Sequence, residues 1–312
     1  MKHFRKICII IGLVFLLVGG IVAMTGVALA GFDFRNLSTT SPYQQVTARY
    51  DASEITSLEI EDYSRDITIS TWEQDTIEVT YYENEEVTYD IKQDSNGKLS
   101  ISYTSRQEWY QMIGLNFSLQ DCTLTIRIPR EMAGSIDVST SSGNIFATDL
   151  SAKDGFSAES SSGNIALSNI NADNLSASST SGEIQIDGAN ITQECIANAT
   201  SGDLSLQNIS ASICGFSATS GSIQLADVST QENVITTTSG DIFFKGLQAD
   251  HIALEATSGN IMGTLNGNQE DYTIYSNTSS GDVHLPPSYN GEKRNSMYYN
   301  RHESAIRLCS RK

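Results

Sequence analysis

The chain is expected to fold as an all-β β-solenoid of about eight rungs of 19–20 residues, with a β-rich N-terminal cap and one transmembrane helix ahead of it. Three observations lead there. A short motif, Ser or Thr, Ser, Gly, a polar residue and an aliphatic one, recurs with its glycine at Gly143, Gly163, Gly182, Gly202, Gly221, Gly240, Gly259 and Gly281. Around each glycine, apolar and polar residues alternate with a period of two. Near the start of the chain, no charged residue occurs from Ile7 to Phe32.

The spacings between motif glycines are 20, 19, 20, 19, 19, 19 and 22 residues. Such self-similarity marks stacked units, each too small to bury its own apolar face. Two residues after the glycine stand Ile145, Ile165, Ile184, Leu204, Ile223, Ile242, Ile261 and Val283. Four after it come mostly Leu, Ile and Phe, and seven before it mostly Ile, Leu, Phe and Cys. Alternation on both sides of a turn predicts two short strands per rung, and the Ser/Thr density excludes helix. A third apolar column seven after the glycine, including Leu150, Ile170, Ile209, Val228 and Leu247, is expected to close the rung. The glycine is expected to supply a positive φ at the corner. Asn233 departs from the column seven before the glycine, which predicts a local shift in that rung.

At the N-terminus, the apolar run Ile7–Ala30 would make roughly 36 Å of helix, enough for a ~30 Å hydrocarbon core. Lys2, Arg5 and Lys6 precede it, so residues 1–6 are expected in the cytoplasm and the rest of the chain outside the cell membrane. A cleaved signal ending at Ala28-Leu29-Ala30 is the alternative. Residues 31–45 read as a spacer, 46–130 as a β-rich capping region, 131–290 as the solenoid and 291–312 as a basic tail. Within the capping region Ser64-Arg65-Asp66-Ile67 looks like an imperfect rung with arginine in place of glycine, and Asp94-Ser95-Asn96-Gly97 reads as a hairpin turn.

The net charge is −18. The two basic ends carry +3 and +4, leaving −25 on residues 7–290. A surface so acidic repels phosphate backbones and argues against nucleic-acid binding. The five cysteines form no metal-ligand spacing with the four histidines, and no metal or other cofactor is expected. The outward column Asn144, Asn164, Glu183, Asp203, Asp241, Asn260 and Asp282 has the oxygen chemistry of a calcium site, but neutral residues interrupt it and a solvated turn column is the preferred reading. Cys195 and Cys214, nineteen residues apart, fall in one inward column of adjacent rungs. Their expected Cα separation of ~4.8 Å admits a disulfide, while the column's chemistry favours reduced core packing. The cluster Trp109–Gly114 reads as packing in preference to a ligand platform. No nucleophile motif or converging carboxylate pair points to an enzyme.

Several features occur together in order: the apolar anchor running into Gly31-Phe32-Asp33-Phe34 and Leu37-Ser38-Thr39, the Trp109–Gly114 cluster, the strand end Ile126–Pro129, and the tandem repeats. Over about residues 1–290 this order resembles the putative adhesin family of bacterial membrane-anchored proteins. The resemblance implies a single-pass anchor with an outward β-solenoid, roles in adhesion or envelope-stress response, and no catalytic residues. The expected function is a binding or adhesion module at the cell envelope, with an envelope glycan or another membrane protein as partner. The alternatives are a regulatory partner in envelope-stress sensing and, third, a polysaccharide-acting enzyme.

Overall fold

The computed structural model describes residues 42–106, 122–132 and 134–266, helical residues at 12, 14–22, 24, 25 and 28, and the backbone of strands at 272–278, 288–289, 295–303 and 306–308. The chain divides into two compact units: Met1–Gln44 with Glu83–Thr88 and Thr104–Asp121, and Gln45–Tyr82 with Tyr89–Tyr103 and Cys122–Lys312. In the first, the helical residues 14–22 are exposed, and the Asn84 side chain accepts from the N–H groups of Glu86 and Val87. Among the described residues no helix is long and apolar enough to cross a membrane.

The second unit is an all-β solenoid. Each regular rung has three faces. In one rung these are Gly155–Ser160 before the glycine, Ile165–Leu167 after it, and Ile170–Ala172 beyond a corner. Strands of successive regular rungs pair parallel, as in Leu175↔Cys195, Ile165↔Ile184 and Ile170↔Ala189, with single irregularities at Ala172–Asn174 and Lys245–Leu247. The residues two and four after the glycine are buried, from Ile145 and Ala147 through Ile242 and Phe244. The third face contributes Leu150, Ile170, Ala189, Ile209, Val228 and Leu247, all buried. Each large aliphatic side chain so covered contributes about 1.5–3 kcal/mol.

The motif glycines do not adopt positive φ, contrary to the sequence expectation. They are glycines because of contact between rungs. A Cβ on Gly163, Gly182, Gly202, Gly221, Gly240 or Gly259 would lie 1.8–2.1 Å from the carbonyl oxygen of the preceding rung's glycine. Positive φ occurs six residues later, at Asp149, Asn169, Gly188, Asn208, Asp227 and Gly246. These are the three residue types that tolerate the left-handed region best. Gly281 lies outside the described residues.

Polar side chains complete the turn. Three before the glycine, Thr140, Ser160 and Ser179 are buried and accept from the N–H of Gly143, Gly163 and Gly182. One after it, the side-chain oxygens of Asn144, Asn164, Asp203 and Asp241 accept from the next rung's backbone N–H, at 2.9, 2.9, 2.8 and 2.6 Å. That column is therefore occupied by main-chain donors, and among the described residues no group of three His, Cys, Asp or Glu side chains could hold a metal ion.

Chain order breaks at both ends of the stack. Ser57–Asp62 and Ile67–Trp72 lie directly on the first regular rung, with Leu58 opposite Ile136 and Ile67 opposite Ile145. Lys98–Ser105 and Leu124–Pro129, later in sequence, stack on the far side of Ser57–Asp62 and Ile67–Trp72, away from the first regular rung. Residues 78–80 then run antiparallel to 125–127, ending the parallel ladder. Much of the expected cap is thus solenoid. At the other end Asn295–Glu303, within the expected tail, lies between His251–Ser258 and Tyr272–Thr278 and pairs parallel with both. Glu78 pins the antiparallel closure: it is buried and bridged by Arg49 at 2.7 Å and Arg127 at 3.1 Å.

Asn233 produces no shift. It stays in register between Cys214 and Ile252, fully buried, with neither amide atom hydrogen-bonded. A buried polar group without partners costs about 1–3 kcal/mol.

Two outcomes follow for thermal melting followed by circular dichroism. Gly182→Ala forces a Cβ against the Gly163 carbonyl and is expected to lower stability by at least ~2 kcal/mol. Asn233→Leu exchanges unpaired polar atoms for an apolar side chain in an apolar column and is expected to raise stability by ~1–3 kcal/mol; a lower melting temperature would contradict the burial assigned to this position.

A candidate binding groove along the rungs

Residues four and two before each glycine point outward on either side of a buried column of small side chains, Thr140, Ser160, Ser179, Ala199 and Ala218. They line a groove of about 710 Å³ that crosses successive rungs. One wall is Glu61, Ser139, Glu159, Ser178, Asn198 and Ser217; the other includes Ser141, Ser161, Thr180, Thr200 and Thr219. The walls repeat because the rungs are in register, so each hydroxyl recurs at the strand spacing of about 4.8 Å. The turn backbone keeps this register: the N–H groups of Ser162, Ser181, Ser201 and Ser220 donate to the carbonyls of Ser141, Ser161, Thr180 and Thr200. No Lys, Arg or His lines the groove among the described residues.

At the N-terminal end the pattern changes. Ser142 N–H donates to the Tyr63 carbonyl at 3.0 Å, which places Tyr63 in the Ser/Thr column of the groove wall. The other members of its turn are substituted too: Arg65 stands at the glycine position, and Asp62 at the buried hydroxyl position. Asp62 does what Ser160 does on a regular rung, accepting from the N–H of Ser64 and Arg65, and it also accepts from the Tyr89 hydroxyl. Burial first, and then the Asp62 carboxylate, push the Tyr89 phenol far above its ordinary value, so it remains a donor. The Arg65 guanidinium lies over the rings of Tyr89 and Tyr103, at 5.6 and 5.8 Å.

Of the sequence-predicted glycines, Gly143, Gly163, Gly182, Gly202 and Gly221 stand at the corner beside this groove and hold its spacing, while Gly240 and Gly259 continue the same corner beyond it. Cys195 and Cys214 are in register on adjacent rungs, both fully buried and both free. Contact with the Cys214 thiol, and then burial, raise the Cys195 thiol well above its ordinary value. They do not reach the groove. The Trp109–Gly114 cluster and Asp282 lie outside the described residues. Sequence reasoning missed Tyr63. The signal was present, because aligning Ser64-Arg65-Asp66 on the motif puts Tyr63 in the column of Ser141.

Comparison with known proteins agrees with this architecture. No curated protein matches the sequence. Among solved structures, the chain is similar to a putative adhesin from Parabacteroides distasonis ATCC 8503, at 13% identity over 85% of this chain and 97% of that one, with a TM-score of 0.52. It is also similar to a putative adhesin from Parabacteroides merdae ATCC 43184, at 14% identity over 85% and 96% of the two chains, with a TM-score of 0.49. At 13% identity the likeness to the Parabacteroides distasonis protein concerns the fold alone. The family model described as Toastrack DUF4097 matches residues 55–199 and 192–298, which together span the rungs and the groove; this chain belongs to that family.

Proposed function

We infer that this chain is a membrane-anchored binding module of the bacterial envelope, without catalytic activity, whose groove holds an extended glycan. The carrying observation is the groove of about 710 Å³, walled over successive rungs by hydroxyls and amides at a constant spacing. A repeating wall of short polar side chains suits a repeating polymer rich in hydroxyls, since each unit meets the same donors and acceptors as the last. A protein partner would look for several aromatic or arginine anchors near the centre of the patch, whereas these walls carry one aromatic, Tyr63, at one end. The uncharged run from Ile7, with basic residues before it, supports an anchor with the solenoid outside the membrane.

A second reading, regulation of another membrane protein in envelope-stress sensing, draws on a different surface. Ile213 and Val234 are 42% and 39% exposed on neighbouring rungs, an apolar pair that a protein could cover.

Co-sedimentation of the full-length, detergent-solubilised protein with purified bacterial sacculi tests the first reading. Saturable binding is expected, and Thr200→Trp, which fills the groove from an exposed position, should weaken it roughly tenfold or more at unchanged melting temperature. Binding that ignores Thr200→Trp but is lost on altering Ile213 and Val234 to Asp would transfer the function to the apolar pair.

A further inference from the structure

The N-terminal end of the groove differs in chemistry from the rest. The Ser/Thr column there ends on Tyr63, a residue that is 59% exposed. Its ring is backed by Tyr103 at 6.5 Å with 23° between planes, and Tyr103 is held edge-on by Tyr89 at 6.0 Å. An aromatic ring fixed from behind and open in front offers a flat apolar face that loses little entropy when a ligand covers it.

The other wall carries two carboxylates at the same end. Glu61 lies in register with Ser139, and Ser139 with Glu159, so the two are two strand spacings apart, ~10 Å. Both are exposed and both line the groove, where no described cationic side chain answers them. Carboxylates so placed repel an anionic polymer and attract a cationic one. Their separation is on the scale of one disaccharide of an extended chain.

We propose that this end of the groove is a subsite for an amine-bearing sugar within an extended, unbranched glycan, with Tyr63 as stacking platform and Glu61 and Glu159 as the partners of its ammonium groups. The inference rests on the glycan-groove reading above and adds the ligand's charge and the end at which it is gripped. A carboxylated or sulfated glycan is excluded by the same charges.

Titration calorimetry of the full-length protein in detergent tests it, with a glucosamine hexamer, an N-acetylglucosamine hexamer and a hyaluronan fragment as probes. The glucosamine hexamer is expected to bind tightest, more weakly as salt is raised, and hyaluronan not at all. Tyr63→Ala should weaken binding about tenfold while Tyr63→Phe keeps it. Glu61→Gln combined with Glu159→Gln should abolish the preference for the amine form at unchanged melting temperature. Equal affinity for the two hexamers, no binding of either, or a preference that survives the double Gln change overturns the subsite. The broader reading fails separately. If Thr200→Trp blocks binding to sacculi while the Tyr63 and Gln variants do not, the groove stands without the subsite; if none of them matters, both fall.

Discussion

Where one rung turns onto its next face, its backbone comes so near the rung beneath that a Cβ on the turn glycine would sit about 2 Å from a carbonyl oxygen. Everything else in the solenoid depends on that approach. It keeps parallel strands at hydrogen-bonding distance through the corner, where a wider turn would let the ladder open. With the corner closed, each rung is held in register on all three faces, and a slip of one residue would turn the whole apolar set outward. Register, in turn, aligns like side chains into columns, which is how rungs of about nineteen residues share one continuous core.

Polar groups around the turn follow from the same constraint. A corner this tight leaves main-chain N–H groups pointing along the stack, and buried donors need partners. Short side chains supply several of them: a hydroxyl three before Gly143, Gly163 and Gly182, and an amide or carboxylate one after the glycine at Asn144, Asn164, Asp203 and Asp241. The rung next to the first regular one shows which features are obligatory. Arg65 replaces the glycine, and Asp62 replaces the hydroxyl, yet the backbone donors of Ser64 and Arg65 are still satisfied. What is kept is the acceptor; the residue that provides it can change when the neighbouring packing, here the Tyr89 ring and hydroxyl, changes with it.

The repeats, their inward columns and the in-register cysteines were legible in the sequence because each rests on a local period that a core enforces. Ile145, Ile165 and Ile184 announce one column by repetition alone. Three things were not legible. The turn glycines suggested unusual backbone conformation, since a sequence cannot distinguish a glycine needed for φ from one needed for close approach. Asn233 suggested a displaced rung, because polarity in an apolar column looks like a register error; in-register pairing on both sides outweighed the cost of one unpaired amide. The interchange of rung order at both ends was hidden because stacking depends on which apolar faces meet, and Leu58, Leu99 and Ile136 are interchangeable by that criterion.

The same distinction separates structural from functional positions on the turn. The glycine, the residue after it, the buried hydroxyl three before it and the left-handed residue six after it all answer to the backbone, so their Ser, Asn, Asp and Gly content carries little information about ligands. The side chains four and two before the glycine point away from the core; at these positions the turn uses the backbone groups. Most of them are small and polar, which keeps the groove open. Against that background Glu61, Tyr63 and Glu159 are substitutions the fold does not demand, gathered at one end of one groove. A stack whose register is already secured elsewhere is free to vary at those positions, and that freedom makes them the informative ones about what the groove holds.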